Sequence, residues 1–319
     1  MSGPCGNNAR VDPLSASSDA RKRRIAPQDD LPPCGRLAPG GYARSQMDTR
    51  IFTPIAMLQG LWLMQKAPRL SSPAGCSGRF GRGVAPLLRV VGVGDSCIAG
   101  TGVSDMRHSV TASYARQLQE RWQCDVEWRV FGVNGATSGS ILHNIAPGVP
   151  AAHVYVVSAG VNDAIRGVEP RRYAHNLHRI YVLLRRKSQH STILFGGLPP
   201  LEAFPVLPWP LRAILAQRAR ALHEAAVAVA ARHQRVFGFR FPPCMQAHHF
   251  ASDGFHPAEA ACERWAAGLL DLWPPAVPPA VPPALPRLEP RTTQPATCVD
   301  RAPRRASRKR LQAAMVRRG

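Results

Sequence analysis

The tetrapeptide Gly94-Asp95-Ser96-Cys97 follows the apolar run 87–93 and presents a hydroxyl beside a thiol where a strand should turn. A serine hydroxyl becomes a nucleophile only when a base removes its proton, so a histidine and a group to orient it must come from elsewhere in the chain. Residues 251–260, ASDGFHPAEA, supply both in one short loop. Two residues separate Asp253 from His256, which lets the carboxylate reach the imidazole Nδ1 and leaves Nε2 free for Ser96. Attack on a carbonyl puts negative charge on its oxygen, and each donor aimed there lowers the barrier by about 3 to 4 kcal/mol. Three donors are at hand: the N–H of Ser96 itself, the backbone N–H of Gly135 in VNGATSGS (133–140), and the neutral side-chain amide of Asn162 in SAGVNDA (158–164).

Other chemistries fit these residues less well. Gly92, Gly94 and Cys97 match only two of the three glycines of a dinucleotide fingerprint, Asp95 would repel a pyrophosphate, and the lysine of a P-loop is missing. No cofactor is expected. His248, His249, Asp253 and His256 lie within nine residues, as metal ligands might, but adjacent histidines on a strand point apart and no second cluster of ligands is visible. No metal is expected either. Each candidate also has a structural role to compete with: Ser96 could cap a following helix, Asp253 the helix near Pro257, Gly135 could serve a tight turn, and Asn162 and Asp163 could form turns. Of these, Asp163 is read as a turn former.

These residues need a scaffold that carries them to one end of a sheet. Between 88 and 273, short apolar runs alternate with amphipathic segments, the pattern of a parallel sheet with crossover helices. Strands are expected at 88–94, 126–133, 153–159, 192–197 and 235–239, and helices at 109–122, 170–187, 211–233 and 257–273. The fold expected is α/β, a three-layer α/β/α sandwich around a five-stranded parallel sheet. Ser96 then falls at the carboxyl end of the first strand, where open α/β sheets bind their ligands.

Charge and cysteine usage narrow the function class. The chain carries a formal charge of +21, but fifteen of those charges lie outside 88–273, so a nucleic-acid-binding core is not indicated. The eight cysteines form no C-x-x-C pair, which argues against a zinc ribbon or a disulfide-dense module and leads us to expect a reducing cytoplasm. Residues 1–46 are expected to be a disordered basic extension, 47–87 a short apolar helix with its lead-in, and 274–319 a proline-rich spacer and basic tail. That tail suggests at most weak contact with an anionic surface. If translation began at Met47, the apolar segment 51–64 could instead act as a signal for export, although no A-x-A site follows.

Four blocks in order, GDS (94–96), NGATS (134–138), GVND (160–163) and DGFHP (253–257), resemble those of the SGNH hydrolases, also called GDSL-type esterases. The resemblance spans roughly 87–273. It implies a flavodoxin-like hydrolase with Ser96 as nucleophile, Ser96, Gly135 and Asn162 in the oxyanion hole, and His256 with Asp253 completing the triad. The substrate implied is a small-molecule ester, such as an acylated carbohydrate or lipid, cleaved through an acyl-enzyme. QGLWLMQKAPRL (59–70) is similar to a lead-in helix of bacterial members, and Cys97 stands where the family name has leucine. Residues 198–211, with Phe204 and Trp209, are expected to wall the acyl pocket. The competing expectation, from another class, is a catalytically quiet scaffold whose basic tails engage an anionic partner.

Overall fold

The computed structural model describes residues 52–272, apart from 67, 69, 84–86 and 242–244. The extensions expected at 1–46 and 274–319 lie outside the described residues. Strands β1 (Ser77–Phe80), β2 (Leu87–Gly94), β3 (Asp125–Gly132), β4 (Val154–Ser158), β5 (Thr192–Phe195) and β6 (Val236–Gly238) form one sheet in the order β1-β3-β2-β4-β5-β6. The five parallel strands β3-β2-β4-β5-β6 have the flavodoxin-like order, in which the direction of winding reverses between β2 and β4. The sixth strand corrects the expected count: β1 pairs antiparallel with β3, Ser77 opposite Arg129 and Phe80 opposite Val126. Its four residues, SGRF, carry no apolar alternation to reveal a strand. Glycine at 78 is required there, because a Cβ would meet the Trp128 indole at 2.7 Å.

Alternation along the strands divides the core between the two faces of the sheet. Val91, Val93, Tyr155, Val157, Ile193 and Phe195 pack into one apolar cluster together with the helices α5 (Pro170–Lys187) and α6 (Leu211–Ala230). Leu88, Val90, Val154, Val156 and Leu194 pack into the other, under α2 (Val110–Trp122) and α7 (Glu259–Asp271). Three layers result, as the alternating pattern predicts, while the short helices α3 (Ser138–Ser140) and α4 (Val161–Ile165) follow β3 and β4. Helix α5 buries Tyr173, Leu177, Ile180, Tyr181 and Leu184, a stripe of helical spacing, and starts with Pro170, whose missing N–H is harmless in a first turn. Helix α2 begins at a Ser109 cap, whose hydroxyl accepts from the Ala112 N–H.

Before the sheet, helix α1 (Thr53–Lys66) lies against α6. The Gln59 side chain fixes it there at both ends of its amide, donating to the Trp209 carbonyl (2.7 Å) and accepting from the Leu211 N–H (3.1 Å). Among the described residues no helix is long and apolar enough to cross a membrane.

Register sets the strand ends level. Gly94 lies opposite both Gly132 of β3 and Ser158 of β4, so the loops after all three strands leave the sheet side by side. Its carbonyl accepts from the Val133 N–H (3.1 Å), and the Asp95 N–H donates to the Ser158 carbonyl (3.3 Å). A Cβ on residue 94 would lie 2.2 Å from that Ser158 oxygen. Gly94→Ala should therefore force the strand ends apart, lowering the unfolding free energy in urea by about 1 to 3 kcal/mol, the usual cost of overpacking.

Candidate active site

The three loops that leave together carry the first three sequence blocks. After β2 the chain enters a compact turn, with Ala99 N–H bonded to the Asp95 carbonyl and Thr101 N–H to that of Ser96 (both 3.0 Å). Ser96 caps no helix, since α2 starts only at Val110. The Thr101 hydroxyl donates to the Asn134 side-chain oxygen (2.7 Å), which ties this turn to the loop after β3. The fourth block arrives from the far end of the chain. Glycine at 102, with φ +103°, lets it come close: a Cβ there would meet the Pro257 carbonyl at 2.7 Å and the His256 Cβ at 3.0 Å. Ser104 reinforces the approach by donating its N–H (3.0 Å) and hydroxyl (2.6 Å) to Glu259, the first residue of α7.

The histidine loop is closed on itself. Phe250 pairs with Pro257, and the Ala251 N–H donates to the His256 carbonyl (2.8 Å). At its tip the buried Asp253 has two functions. One carboxylate oxygen accepts from the N–H groups of Phe255 (2.9 Å) and His256 (3.0 Å), and the other lies 2.5 Å from His256 Nδ1. Burial alone would raise the Asp253 pKa, but the hydrogen bonds from the His256 ring and from these two N–H groups outweigh it and hold the carboxyl below its ordinary range. Asp253 is thus ionised and fixes the ring. Helix α7 has Ala258 as its N-cap residue, so the carboxylate does not serve that helix.

Ser96, Asn162 and His256 all line one cavity of about 50 Å³, whose other walls include Phe204, Phe250 and Trp265. Asp253 stands behind the ring, outside this cavity. The Asn162 amide donates one hydrogen to the Ala136 carbonyl (3.1 Å), which leaves its second for the cavity. Gly135 does not line the cavity but belongs to the adjoining turn, with φ +76° and open space where a Cβ would be. Of the segment 198–211, Phe204 reaches the cavity wall, but Trp209 does not. Trp209 is half exposed and meets the Phe52 ring edge-on at 5.0 Å, in the contact between α1 and the start of α6.

Two further residues hold the site together, and sequence reasoning missed their role. Asp163, read as a turn former, is fully buried and accepts from both the N–H (2.9 Å) and the hydroxyl (2.6 Å) of Ser138, linking the loop after β3 to that after β4. Asp95 is buried next to the serine and accepts from the Ser158 hydroxyl (3.0 Å) and the Cys97 N–H (3.2 Å). Their signal was their place inside the blocks, beside residues chosen for chemistry. Burial raises the Cys97 thiol well above its ordinary pKa, reinforced by the Asp95 carboxylate, so it is protonated and a poor nucleophile. The histidine cluster is not a ligand set: His249 accepts from the Gln246 N–H at Nδ1 (2.9 Å) and meets Arg264 at Nε2 (3.0 Å). Among the described residues no group of three or more His, Cys, Asp or Glu is disposed to hold a metal ion.

Residues 93–264 match the GDSL-like lipase/acylhydrolase family, and the chain belongs to that family. It is a hydrolase of ester bonds, acting on small-molecule esters. The chain is also similar to a lipase from a goat rumen metagenome (16% identity, TM-score 0.47, covering 58% of this chain and 97% of that one). A family 3 carbohydrate esterase from Clostridium thermocellum (17%, 0.46, 58% and 94%) and an extracellular lipase from Streptomyces rimosus (15%, 0.44, 58% and 98%) are similar to a comparable degree. No curated protein matches the chain.

Burial pushes the Asp95 carboxyl up to about 6, against the opposing effect of the Ser158 and Cys97 hydrogen bonds. The folded protein therefore binds this proton more tightly than the unfolded chain, and the stability it contributes is full below pH 4 and lost as pH rises to 6. Relative to Asp95→Asn, the wild-type protein should lose about 3 kcal/mol of stability between pH 4 and pH 7, from roughly two pKa units at 1.36 kcal/mol each. Parallel urea-unfolding curves for the two proteins across this range would show the carboxyl to be unburied.

Proposed function

We propose that the chain cleaves carboxylic esters through a Ser96–His256–Asp253 triad and an acyl-enzyme. The observation that carries this reading is the 2.5 Å contact between His256 Nδ1 and the ionised Asp253, with His256 and Ser96 on the wall of one cavity. Asp253 keeps the Nδ1 proton in place, so that His256 Nε2 is the free base. His256 takes the Ser96 hydroxyl proton as the serine oxygen attacks the ester carbonyl. The oxyanion accepts hydrogen bonds from the Ser96 N–H, the Gly135 N–H and the second Asn162 amide hydrogen. On collapse, His256 returns the proton to the departing alcohol oxygen. Water, deprotonated by the same nitrogen, then releases the acid and restores the serine.

These roles have separable tests on the full chain. Ser96→Ala should abolish both hydrolysis of p-nitrophenyl acetate and labelling by a fluorophosphonate, and retained labelling would move the nucleophile to another residue. Asn162→Ala should lower kcat about a hundredfold or more with little change in KM, because its amide acts on charge that exists only in the transition state. Wild-type kcat in this variant would remove Asn162 from the mechanism.

A further inference from the structure

The cavity at Ser96, at about 50 Å³, is far below the roughly 300 Å³ at which small-molecule sites begin, so only a small group fits there. A second and far larger space adjoins it. Phe255 and His256 line both the cavity and a groove of about 470 Å³ between α1 and α6, a volume typical of small-molecule sites. Met57, Gly60 and Leu61 form one wall of the groove, Ile214 and Leu215 the other. Besides Asp253 and His256 at its inner end, only Thr53 and Arg218 among the described residues bring polar side chains, and the Arg218 guanidinium already donates to the Ala164 carbonyl.

An ester has two arms about its carbonyl. With the carbonyl at Ser96 one arm must be short, and the groove beside His256 offers a roomy course for the other. The groove can bind it through apolar contact alone. Ile55, Met57, Leu58, Leu61 and Trp62 give α1 an exposed apolar surface, of which Met57 and Leu61 face the groove. The wall is not loose, because Gln59 fastens α1 to the start of α6. Helix α1 also precedes residues 93–264, the part of the chain that matches the family.

From this juxtaposition of helix α1, helix α6 and His256, we propose that the groove binds a long, linear aliphatic arm of the ester substrate, and that α1 sets the preference for chain length. The inference rests on the triad reading above for the position of the carbonyl. The arm is the acyl chain or the alkyl chain of the alcohol, and two substrate series distinguish them.

The full chain would be assayed on p-nitrophenyl esters from acetate to palmitate and on alkyl acetates from ethyl to dodecyl, below their aggregation concentrations. In one series kcat/KM should rise by up to about fourfold per added methylene, the gain from burying each in an apolar site. Gly60→Phe is the diagnostic variant, since a Cβ on Gly60 meets nothing within 4 Å and the replacement favours the helix. It should lower the ratio of long-chain to two-carbon kcat/KM at least tenfold. A flat profile in both series, or an unmoved ratio in folded Gly60→Phe, would overturn the groove assignment while leaving Ser96-dependent acetate hydrolysis intact. If no ester is hydrolysed, the triad reading fails, and the groove is then tested alone by titration with dansyl-undecanoic acid. Binding weakened tenfold by Gly60→Phe would sustain it, and no binding would overturn it.

Discussion

Everything at the site depends on the level alignment of three strand ends where the sheet reverses its winding. Gly94 lies between Gly132 and Ser158 with no room for a side chain, and its loop is bonded to both neighbours. Because β2 is followed by Ser96, β3 by Gly135 and β4 by Asn162, this single register brings a hydroxyl, a backbone amide and a side-chain amide to the same edge. Only the histidine has to be delivered separately. Its loop closes on itself before it docks, so its geometry depends on local hydrogen bonds and its position on Gly102 and the Ser104–Glu259 contact.

Buried carboxylates serve this edge in two contrasting ways. Asp253 is surrounded by donors, and its charge is what orients the histidine ring. Asp95 and Asp163 are more deeply buried and act as acceptors that bind one loop to the next; burial raises the pKa of both. The cost of placing a carboxyl in such surroundings is met only if donors are aimed at it, and the Ser138 and Ser158 hydroxyls fill that role. The site is therefore held by short polar links between loops, with apolar packing reserved for the layers beneath.

Much of this was legible in the sequence because it depends on local patterns. The helices expected at 170–187 and 109–122 agree with α5 and α2 to within a residue, and the strongly apolar β2, β4 and β5 were equally plain. The candidate site residues could be named because each lies just after a strand or within one short loop. Two kinds of feature stayed hidden. β1 is a strand by virtue of its partner β3, not its own four residues, and the meaning of Asp163 depends on Ser138, twenty-five positions away. Trp209 shows the same limit: its ring packs on Phe52, from a segment whose place in the fold no local pattern discloses.

The small strand β1 also determines where the domain can be cut. Residues 88–273 look self-sufficient in sequence, and the family match begins later still, at 93. A fragment starting at either point would lack Ser77–Phe80 and leave the outer side of β3 with a row of unpaired amides and carbonyls, together with the uncovered face of Trp128 that Phe80 now stacks on. Such a margin is a template for another copy of the chain. The smallest well-behaved hydrolase within this protein therefore begins no later than Ser77, and shorter fragments would associate through their sheets.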